Sequence, residues 1–263
     1  MKVVAIIPAR MSASRFPGKP LAPILGLPMV EHVRRRALLS TAIDDVIVAT
    51  CDEEIRDTVS AHGGRAVMTS DKHVRCTDRI AEAARSVKAD VIINVQGDEP
   101  LLNPQMLSDV AEPFETLSDL EVVNLVSVID EEKEFLDMNA PKVVTDREGY
   151  VIYISRQPIP WVFGRELDPP YGLKQLGIIA FRGDFLQEFC ELPPTPMEKA
   201  ESIDMLRALE HGRRILAVRV AGKMIGVDRP EDIERVEREM RRDPLVAAYA
   251  SDVGAADMRG DVR

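Results

Sequence analysis

Short, continuous apolar runs alternate with amphipathic stretches through the first hundred residues of the chain. The run at residues 2–7 is bounded by Pro8 and predicts a strand that is buried on both faces. Similar runs predict strands at 45–50, 65–68 and 91–95, and apolar residues at helical spacing predict helices over 28–40, 53–61 and 77–88, the last with Thr77 as its N-cap. Strands that alternate with helices in this way indicate right-handed βαβ units and a mostly parallel sheet.

The second half of the chain has a more mixed pattern. Its apolar runs predict strands over 122–129, 150–154 and 176–181, and helices over 203–211 and 230–241. Proline and glycine are frequent in Trp161–Leu173, which predicts a mobile loop. With no repeat and no obvious linker, we expect one domain over 1–242 and a flexible tail over 243–263.

Composition narrows the classes of function that the chain can have. The 263 residues include 34 Lys and Arg against 44 Asp and Glu, which gives a net charge of −10 and argues against nucleic-acid binding. No apolar run approaches the roughly 18–20 residues of a membrane helix, and the first run is too short for a secretory signal. The widely spaced Cys51, Cys76 and Cys190 suggest neither a disulfide framework nor a metal site, so we expect a cytoplasmic protein.

The segment after the first predicted strand carries three cations within ten residues. Arg10, Arg15 and Lys19 are interspersed with small residues whose backbone N–H groups could contact a polyphosphate. The segment does not match the Walker A loop, because Ala13 and Pro20 stand where that motif needs glycine and a hydroxyl. Ligands bind at the carboxyl ends of parallel strands, which favours a phosphate loop over the alternative of a solvated basic loop.

Carboxylates follow two other predicted elements. Asp98, after the strand at 91–95, could bind Mg²⁺, and Gly97 would let the backbone approach a base or sugar; the alternative is an ordinary turn. Asp228 precedes the helix at 230–241 and could be a second metal ligand or that helix's N-cap. The four histidines show no metal-ligand spacing and are expected to be structural or exposed.

Taken together, these segments resemble the 3-deoxy-manno-octulosonate (KDO) cytidylyltransferases. The opening pattern of that family, I-P-A-R-x-x-S-x-R-x-P-G-K-P, is met by residues 7–20, and its V-N-V-Q-G-D-E-P is met by residues 93–100 with one conservative change. Further matches are K-V-V at 142–144, Y-I-S-R at 153–156, L-P-P-T-P-M-E at 192–198 and G-V-D at 226–228. The resemblance extends from about Lys2 to Arg242.

This resemblance implies a single-domain, Rossmann-like α/β nucleotidyltransferase with a mostly parallel mixed sheet flanked by helices, and a homodimer. It implies that CMP is transferred from CTP to an acidic acceptor with release of pyrophosphate, and that Mg²⁺ is the cofactor. By matching position, the catalytic residues would be Arg10, Arg15, Lys19 and Asp98, and the metal ligands Asp98 and Asp228. The nucleotide would contact Ala9, Arg10, Ser14, Lys19, Asp78, Arg79, Gln96 and Gly97, and the acceptor would contact Gln96 and Arg156.

Several departures from the family pattern lie on the expected acceptor side. Arg75 and Cys76 replace a small hydroxyl residue and a glycine, Gln175 replaces a histidine before Leu-Gly, and Cys51 stands where aspartate is common. Arg75 and Gln175 are therefore further acceptor-binding candidates, although Arg75 could instead pair with Asp71 or Asp78.

Because of these departures, two classes of acceptor agree with the sequence. A KDO-type sugar acid is one reading, and a small phosphonate in a natural-product pathway is the other. Two alternatives of another kind are a nucleotidyltransferase that uses a different nucleotide, and a non-catalytic nucleotide-binding protein. The intact Asp98 and Asp228 argue against the non-catalytic protein.

Overall fold

A computed structural model describes residues 1–12, 15–161, 163, 168–222 and 224–250 of the chain. The strands are β1 (Val3–Ala9), β2 (Pro23–Ile24), β3 (Leu27–Pro28), β4 (Asp45–Thr50), β5 (Arg65–Met68), β6 (Val91–Asn94), β7 (Val122–Ile129), β8 (Lys142–Thr145), β9 (Val151–Ser155), β10 (Gly172–Arg182) and β11 (Ile215–Arg219). The helices are α1 (Met29–Ala37), α2 (Glu53–Ala61), α3 (Cys76–Ala84), α4 (Pro104–Ala111), α5 (Pro113–Thr116), α6 (Glu132–Leu136), α7 (Gly183–Glu191), α8 (Pro196–Glu201), α9 (Met205–Glu210), α10 (Asp232–Met240) and α11 (Pro244–Tyr249). The predicted α/β class, with mixed strand pairing and flanking helices, is confirmed.

The described residues divide into two compact units. Unit A comprises Val4–Lys88, Asn94–Leu107 and the described residues from Met224 onward, and unit B comprises Met1–Val3, Ala89–Ile93 and the described residues of 108–223. The prediction of one domain over 1–242 stays a prediction.

Unit A is built on parallel strands. β1 pairs with β4 and β4 pairs with β5, so that the carboxyl ends of β1 and β4 meet where Ala9 lies opposite Thr50. Every residue of β1 is buried, as its continuous apolar run predicts. The bounds predicted for β4, α2 and β5 are confirmed.

Unit B has mixed pairing. β7 pairs antiparallel with β10 and parallel with β11, and β8 pairs antiparallel with both β10 and β9. The predicted strand at 122–129 is confirmed, whereas the one at 176–181 is part of the longer β10. Gly172 and Leu173 therefore belong to a strand and not to the predicted loop, because they continue the ladder with β7. Of that loop, residues 162 and 164–167 lie outside the described residues, and its mobility stays a prediction.

Two predicted helix starts are wrong. α3 begins at Cys76 because Arg75 is still extended, so the N-cap position belongs to Arg75, and Thr77 lies buried in the first turn. α10 begins at Asp232 with Glu231 at the N-cap position, so Asp228 is not its cap. The Asp232 carboxylate instead accepts hydrogen bonds from the backbone N–H groups of Asp228 and Arg229, at 2.8 Å each.

The start of the predicted tail is ordered. Residues 244–249 form α11, whose Val246 and Tyr249 pack into an apolar cluster with Met29, Val236 and Met240 of unit A. The expectation of a flexible segment from 243 onward is wrong for this helix, because its apolar side chains are buried. Residues 251–263 lie outside the described residues. Among the residues that the structure describes, no helix is long and apolar enough to cross a membrane.

Candidate functional site

The loop after β1 is closed by backbone contacts at both of its ends. The backbone N–H of Met11 donates to Asp52 Oδ2 at 2.8 Å, and the N–H of Gly18 donates to the carbonyl of Met11 at 2.9 Å. Gly18 has a φ of 76°, a left-handed conformation that suits glycine, and it leads into a short 3₁₀ helix over Lys19–Leu21. Arg10 is exposed at the start of this loop. Ser14, predicted to bind the nucleotide, lies outside the described residues.

Lys19 connects three segments of unit A. Its Nζ donates to Asp98 Oδ2 at 2.6 Å and to the Val227 carbonyl at 2.9 Å. The Lys19 side chain is 15% exposed and that of Asp98 is 35% exposed, so the pair is partly shielded from water. An ammonium group has three donors, so one N–H of Lys19 has no hydrogen-bond partner in the described parts of the chain.

A second cation of the loop pairs with the second predicted metal ligand. Arg15 Nη1 lies 3.3 Å from Asp228 Oδ2, and both side chains are more than half exposed, so this pair contributes little to stability. The backbone N–H of Val227 donates to the Asp98 carbonyl at 2.9 Å. Arg15, Lys19, Asp98 and Asp228 are therefore brought together as two ion pairs on adjoining segments.

Gly97 lies where a side chain would collide with the backbone of β1. A Cβ atom at this position would lie 2.9 Å from the Pro8 carbonyl oxygen and 3.3 Å from Ile7 Cγ2. The described neighbour of Gly97 is therefore β1, and the predicted approach of its backbone to a base or sugar stays a prediction. The adjoining Gln96 is half-buried, with its Nε2 3.4 Å from Asn94 Oδ1, and Ala9 is buried at the end of β1.

The candidates on α3 differ in their exposure. Arg79 is buried and its Nη1 donates to Thr69 Oγ1 at 2.5 Å, which gives it a structural contact within unit A. Asp78 and Arg75 are half-buried. The roles of these three residues toward a nucleotide or an acceptor stay predictions.

The remaining acceptor-side candidates lie in unit B. Gln175, next to an irregularity in β10, donates from Nε2 to Asn124 Oδ1 at 2.6 Å. Arg156, at the end of β9, donates from its guanidinium to three backbone carbonyls, those of Glu201, Met138 and Ser202. The two residues are therefore held by separate contacts within that unit.

Four residues that organise these segments were not among the predicted site residues. They are Asp52, which holds the loop after β1; Glu82, which accepts from the Ser70 N–H at 2.9 Å and from the His73 ring; and Lys142 and Glu201, which contact Arg156. The bonds from Ser70 and His73 lower the pKa of Glu82 below its usual value. The position of Asp52 was informative, since it follows a predicted strand whose carboxyl end should lie beside that of β1. Lys142 lies in the K-V-V match and Glu201 close to the L-P-P-T-P-M-E match, but neither match gives the residue a role.

The residues around Asp98 have the chemistry of a metal–phosphate site. Carboxylate oxygens and substrate phosphates are the usual ligands of Mg²⁺, which needs only one or two carboxylates from a protein. Asp98 and Asp228 offer two such groups, both partly exposed and both now paired with cations that could turn to phosphates. No group of three or more His, Cys, Asp or Glu side chains suited to a metal ion occurs among the described residues.

Comparisons with known proteins place this geometry in context. A family model described as cytidylyltransferase matches residues 4–215. The chain is 44% identical over 255 residues to the 3-deoxy-manno-octulosonate cytidylyltransferase of Geobacter metallireducens, with 92% of this chain and 99% of that one covered. It is 43% identical to the enzyme of the same name from Geobacter sulfurreducens, with 92% and 100% covered.

Solved structures agree with these sequence matches. The structure of CMP:2-keto-3-deoxy-manno-octonic acid synthetase complexed with CTP superimposes with a TM-score of 0.87 at 38% identity, covering 92% of this chain and 99% of that one. A cytidylyltransferase from Leptospira borgpetersenii superimposes with a TM-score of 0.63 at 16% identity, covering 100% and 99%, and supports the fold alone. The Rossmann-like nucleotidyltransferase fold implied by the sequence is confirmed.

Proposed function

Because the chain belongs to the cytidylyltransferase family, we propose that it transfers CMP from CTP to 3-deoxy-manno-octulosonate (KDO) with release of pyrophosphate. The observation that carries this proposal is the hydrogen bond from Lys19 Nζ, in the segment after β1, to Asp98 Oδ2. The chain that contains this pair is 44% identical to a KDO cytidylyltransferase. The predicted nucleotidyltransferase activity is confirmed by the family, and the choice of acceptor rests on its relatives.

The relatives favour a sugar acid over a small phosphonate. The two relatives named above carry the same KDO activity in their names, over nearly their whole length. The phosphonate alternative rests on Arg75, Cys76 and Gln175, and Gln175 has a contact within its own sheet to Asn124. The same family membership argues against a non-catalytic protein and against a different nucleotide.

In this reaction the protein positions the two substrates and neutralises the charge of the phosphates. An acceptor oxygen attacks the α-phosphorus of CTP, the bond from that phosphorus to the bridging oxygen breaks, and pyrophosphate leaves. Arg10, Arg15 and Lys19 would bind the phosphates through charge-assisted hydrogen bonds, which strengthen as negative charge moves onto the leaving group. No covalent nucleophile is required, so the three cysteines need no role in the reaction.

Magnesium is part of this proposal. Asp98 and Asp228 would hold the ion, since both are partly exposed carboxylates next to the proposed phosphate loop. The ion would supply positive charge that neutralises the triphosphate. Lys19 and Arg15 would then exchange their carboxylate partners for phosphate oxygens.

We also expect the protein to form a homodimer and to be located in the cytoplasm. Unit B exposes several large apolar side chains, among them Ile152, Trp161 and Phe163, and these could be covered by a second copy of the chain. In the described residues the three cysteines form no disulfide bond, which suits a reducing compartment.

The test is pyrophosphate release from a nucleotide with a set of acceptors. With CTP and magnesium, turnover is expected with KDO and not with a small phosphonate, and an amino analogue of KDO measures how much the hydroxyl pattern matters. Replacing CTP by UTP, GTP or ATP should abolish most of the signal. Efficient turnover with the phosphonate and none with KDO would overturn the proposed acceptor while leaving cytidylyl transfer intact.

A further inference from the structure

Arg156 is held by hydrogen bonds to three backbone carbonyls, and among the described residues its guanidinium forms no ion pair with a carboxylate. Its Nε donates to the Glu201 carbonyl at 2.6 Å, Nη1 to the Met138 carbonyl at 2.9 Å and Nη2 to the Ser202 carbonyl at 3.3 Å. A guanidinium has five N–H donors, so two have no partner among the described residues. Backbone carbonyls fix its orientation without cancelling its positive charge, and its tip remains open to solvent.

The Glu201 carboxylate fixes the backbone that carries this guanidinium. Its Oε2 accepts from the Arg156 N–H at 2.9 Å, and its Oε1 accepts from Ser155 Oγ at 2.6 Å and Tyr153 OH at 3.4 Å. Burial raises the pKa of the Glu201 carboxyl, but these hydrogen bonds outweigh burial and lower the pKa below its usual value. The Glu201 carboxyl is therefore ionised, and its hydrogen bonds hold it at the end of β9.

Lys142 holds the same arginine from the other side. Its side chain is fully buried, and its Nζ donates to the Asp137 carbonyl at 2.7 Å and to the Arg156 carbonyl at 2.9 Å. One ammonium group thus joins Arg156 to the turn whose Met138 carbonyl accepts from the guanidinium. Burial lowers the pKa of this ammonium, although the negative charges of Asp137 and Glu201 oppose the shift.

We propose that Glu201 and Lys142 are positioning residues that hold Arg156 as a preoriented cation for the carboxylate of the acceptor. This inference rests on the proposed function, because it takes the acceptor to be a sugar acid. A guanidinium fixed in advance loses little conformational freedom when it binds a carboxylate through two parallel hydrogen bonds. The fixed carbonyls leave two N–H groups for such a contact.

The test separates acceptor binding from nucleotide binding. In Glu201→Gln, which keeps the size of the side chain but removes its charge, the KM for KDO should rise about tenfold or more, the scale of one charge-assisted contact. The KM for CTP should stay within about twofold, a difference of only ~0.4 kcal/mol. Lys142→Met should act in the same direction. Glu148→Gln is the matched control, because Glu148 is an exposed partner of Arg214 in the same unit.

A double-mutant cycle decides whether the two residues act through Arg156. In an Arg156→Ala background, Glu201→Gln should have almost no further effect on the KM for KDO, because the positioned group is gone. An unchanged KM in the single variant, an effect that persists in full without Arg156, or an equal rise in the KM for CTP would overturn the inference. If Lys142→Met does not fold, as judged by circular dichroism, Glu201→Gln decides alone.

Wild-type turnover distinguishes the two proposals. Lack of pyrophosphate release from CTP with KDO would refute the proposed function and this inference with it. Wild-type turnover together with an unaffected Glu201→Gln variant would refute the inference alone.

Discussion

His32 should make the stability of the protein depend on pH in a range where most histidines do not. Its ring is fully buried on α1, with Nε2 2.8 Å from the Ile24 carbonyl and Nδ1 2.9 Å from Tyr249 OH. A neutral ring satisfies both contacts, since Nε2–H donates to the carbonyl and Nδ1 accepts from the phenol. Burial, with smaller contributions from Arg36 and Arg35, lowers the pKa of His32 from 6.5 to about 4, although the Ile24 bond and Glu31 oppose this shift.

The sign and size of the effect follow from proton linkage. Between pH 6.5 and pH 4 the unfolded chain binds a proton at His32 that the folded protein does not, so the free energy of unfolding falls as the pH falls. A pKa difference of 6.5 against about 4 corresponds to a loss of about 3 kcal/mol by pH 4. That is a large part of the roughly 5–15 kcal/mol by which proteins of this kind are stable. Below pH 4 this residue contributes no further change.

The comparison that isolates this effect is wild type against His32→Gln, with the exposed His211→Gln as control. Urea denaturation followed by circular dichroism, repeated between pH 7 and pH 4, gives both free energies, and the titration of the carboxyl groups cancels in the difference. His32→Gln should be less stable at pH 7 because it loses buried contacts, and the deficit should shrink by about 3 kcal/mol on acidification. His211→Gln should follow wild type.

Two results would refute this reasoning. One is a stability difference between wild type and His32→Gln that stays constant from pH 7 to pH 4. The other is a native-state midpoint above pH 6 for the ring protons of His32 by NMR, which would mean that the ring is charged beside the buried Glu31. Since a protonated ring cannot accept from Tyr249 OH, the protection factors of the α11 amides, which correct for the slower intrinsic exchange at low pH, should also fall as the pH falls toward 4.

Three further predictions concern the site. Asp98→Asn should lower kcat/KM at least about 100-fold with little change in melting temperature, because the lost charge acts on the metal and phosphates; near wild-type activity at saturating magnesium would exclude this role. Lys19→Ala should weaken the use of CTP by ~2–4 kcal/mol with every acceptor, and Arg15→Ala should cost less because its ion pair is exposed; steady-state kinetics that moved only the KM for the acceptor would assign the loop to the wrong ligand. Arg75→Ser should lower the use of the acceptor and spare CTP if Arg75 binds an acceptor anion; constants within about twofold for all acceptors, ~0.4 kcal/mol, would make it a bystander.

The local pattern of apolar residues was enough to predict an element where a single physical effect determined its structure. β1 and β4 are continuous apolar runs that can satisfy their backbone only inside a sheet, and α2 has a clear apolar face, so their positions were predictable. The start of α3 was not, because Thr77 is a good cap by type but is buried in the first turn. α11 was missed because its stability comes from packing Tyr249 against residues more than 200 positions away.

The contacts of the candidate site also fall into those that the sequence could predict and those that it could not. That Lys19 and Asp98 would meet could be expected, since each follows a strand whose carboxyl end faces the same edge of a parallel sheet. That Lys19 would also bind the Val227 carbonyl could not, because the two residues are 208 positions apart. The K-V-V match at 142–144 did not predict that Lys142 would be buried, since a lysine at the start of a short strand is ordinarily exposed and its burial depends on two carbonyls from other segments.

The two ion pairs of the site are balanced in charge. Arg15 and Lys19 carry two positive charges and Asp98 and Asp228 two negative charges, so their sum is zero. A magnesium ion and a triphosphate would let the partners exchange, with carboxylates facing the metal and cations facing phosphates. The partly shielded Lys19–Asp98 pair makes this exchange more costly than it is for the exposed Arg15–Asp228 pair. If the proposed roles of these residues are right, metal and nucleotide should bind jointly, because either one alone would break an ion pair without replacing both of its partners.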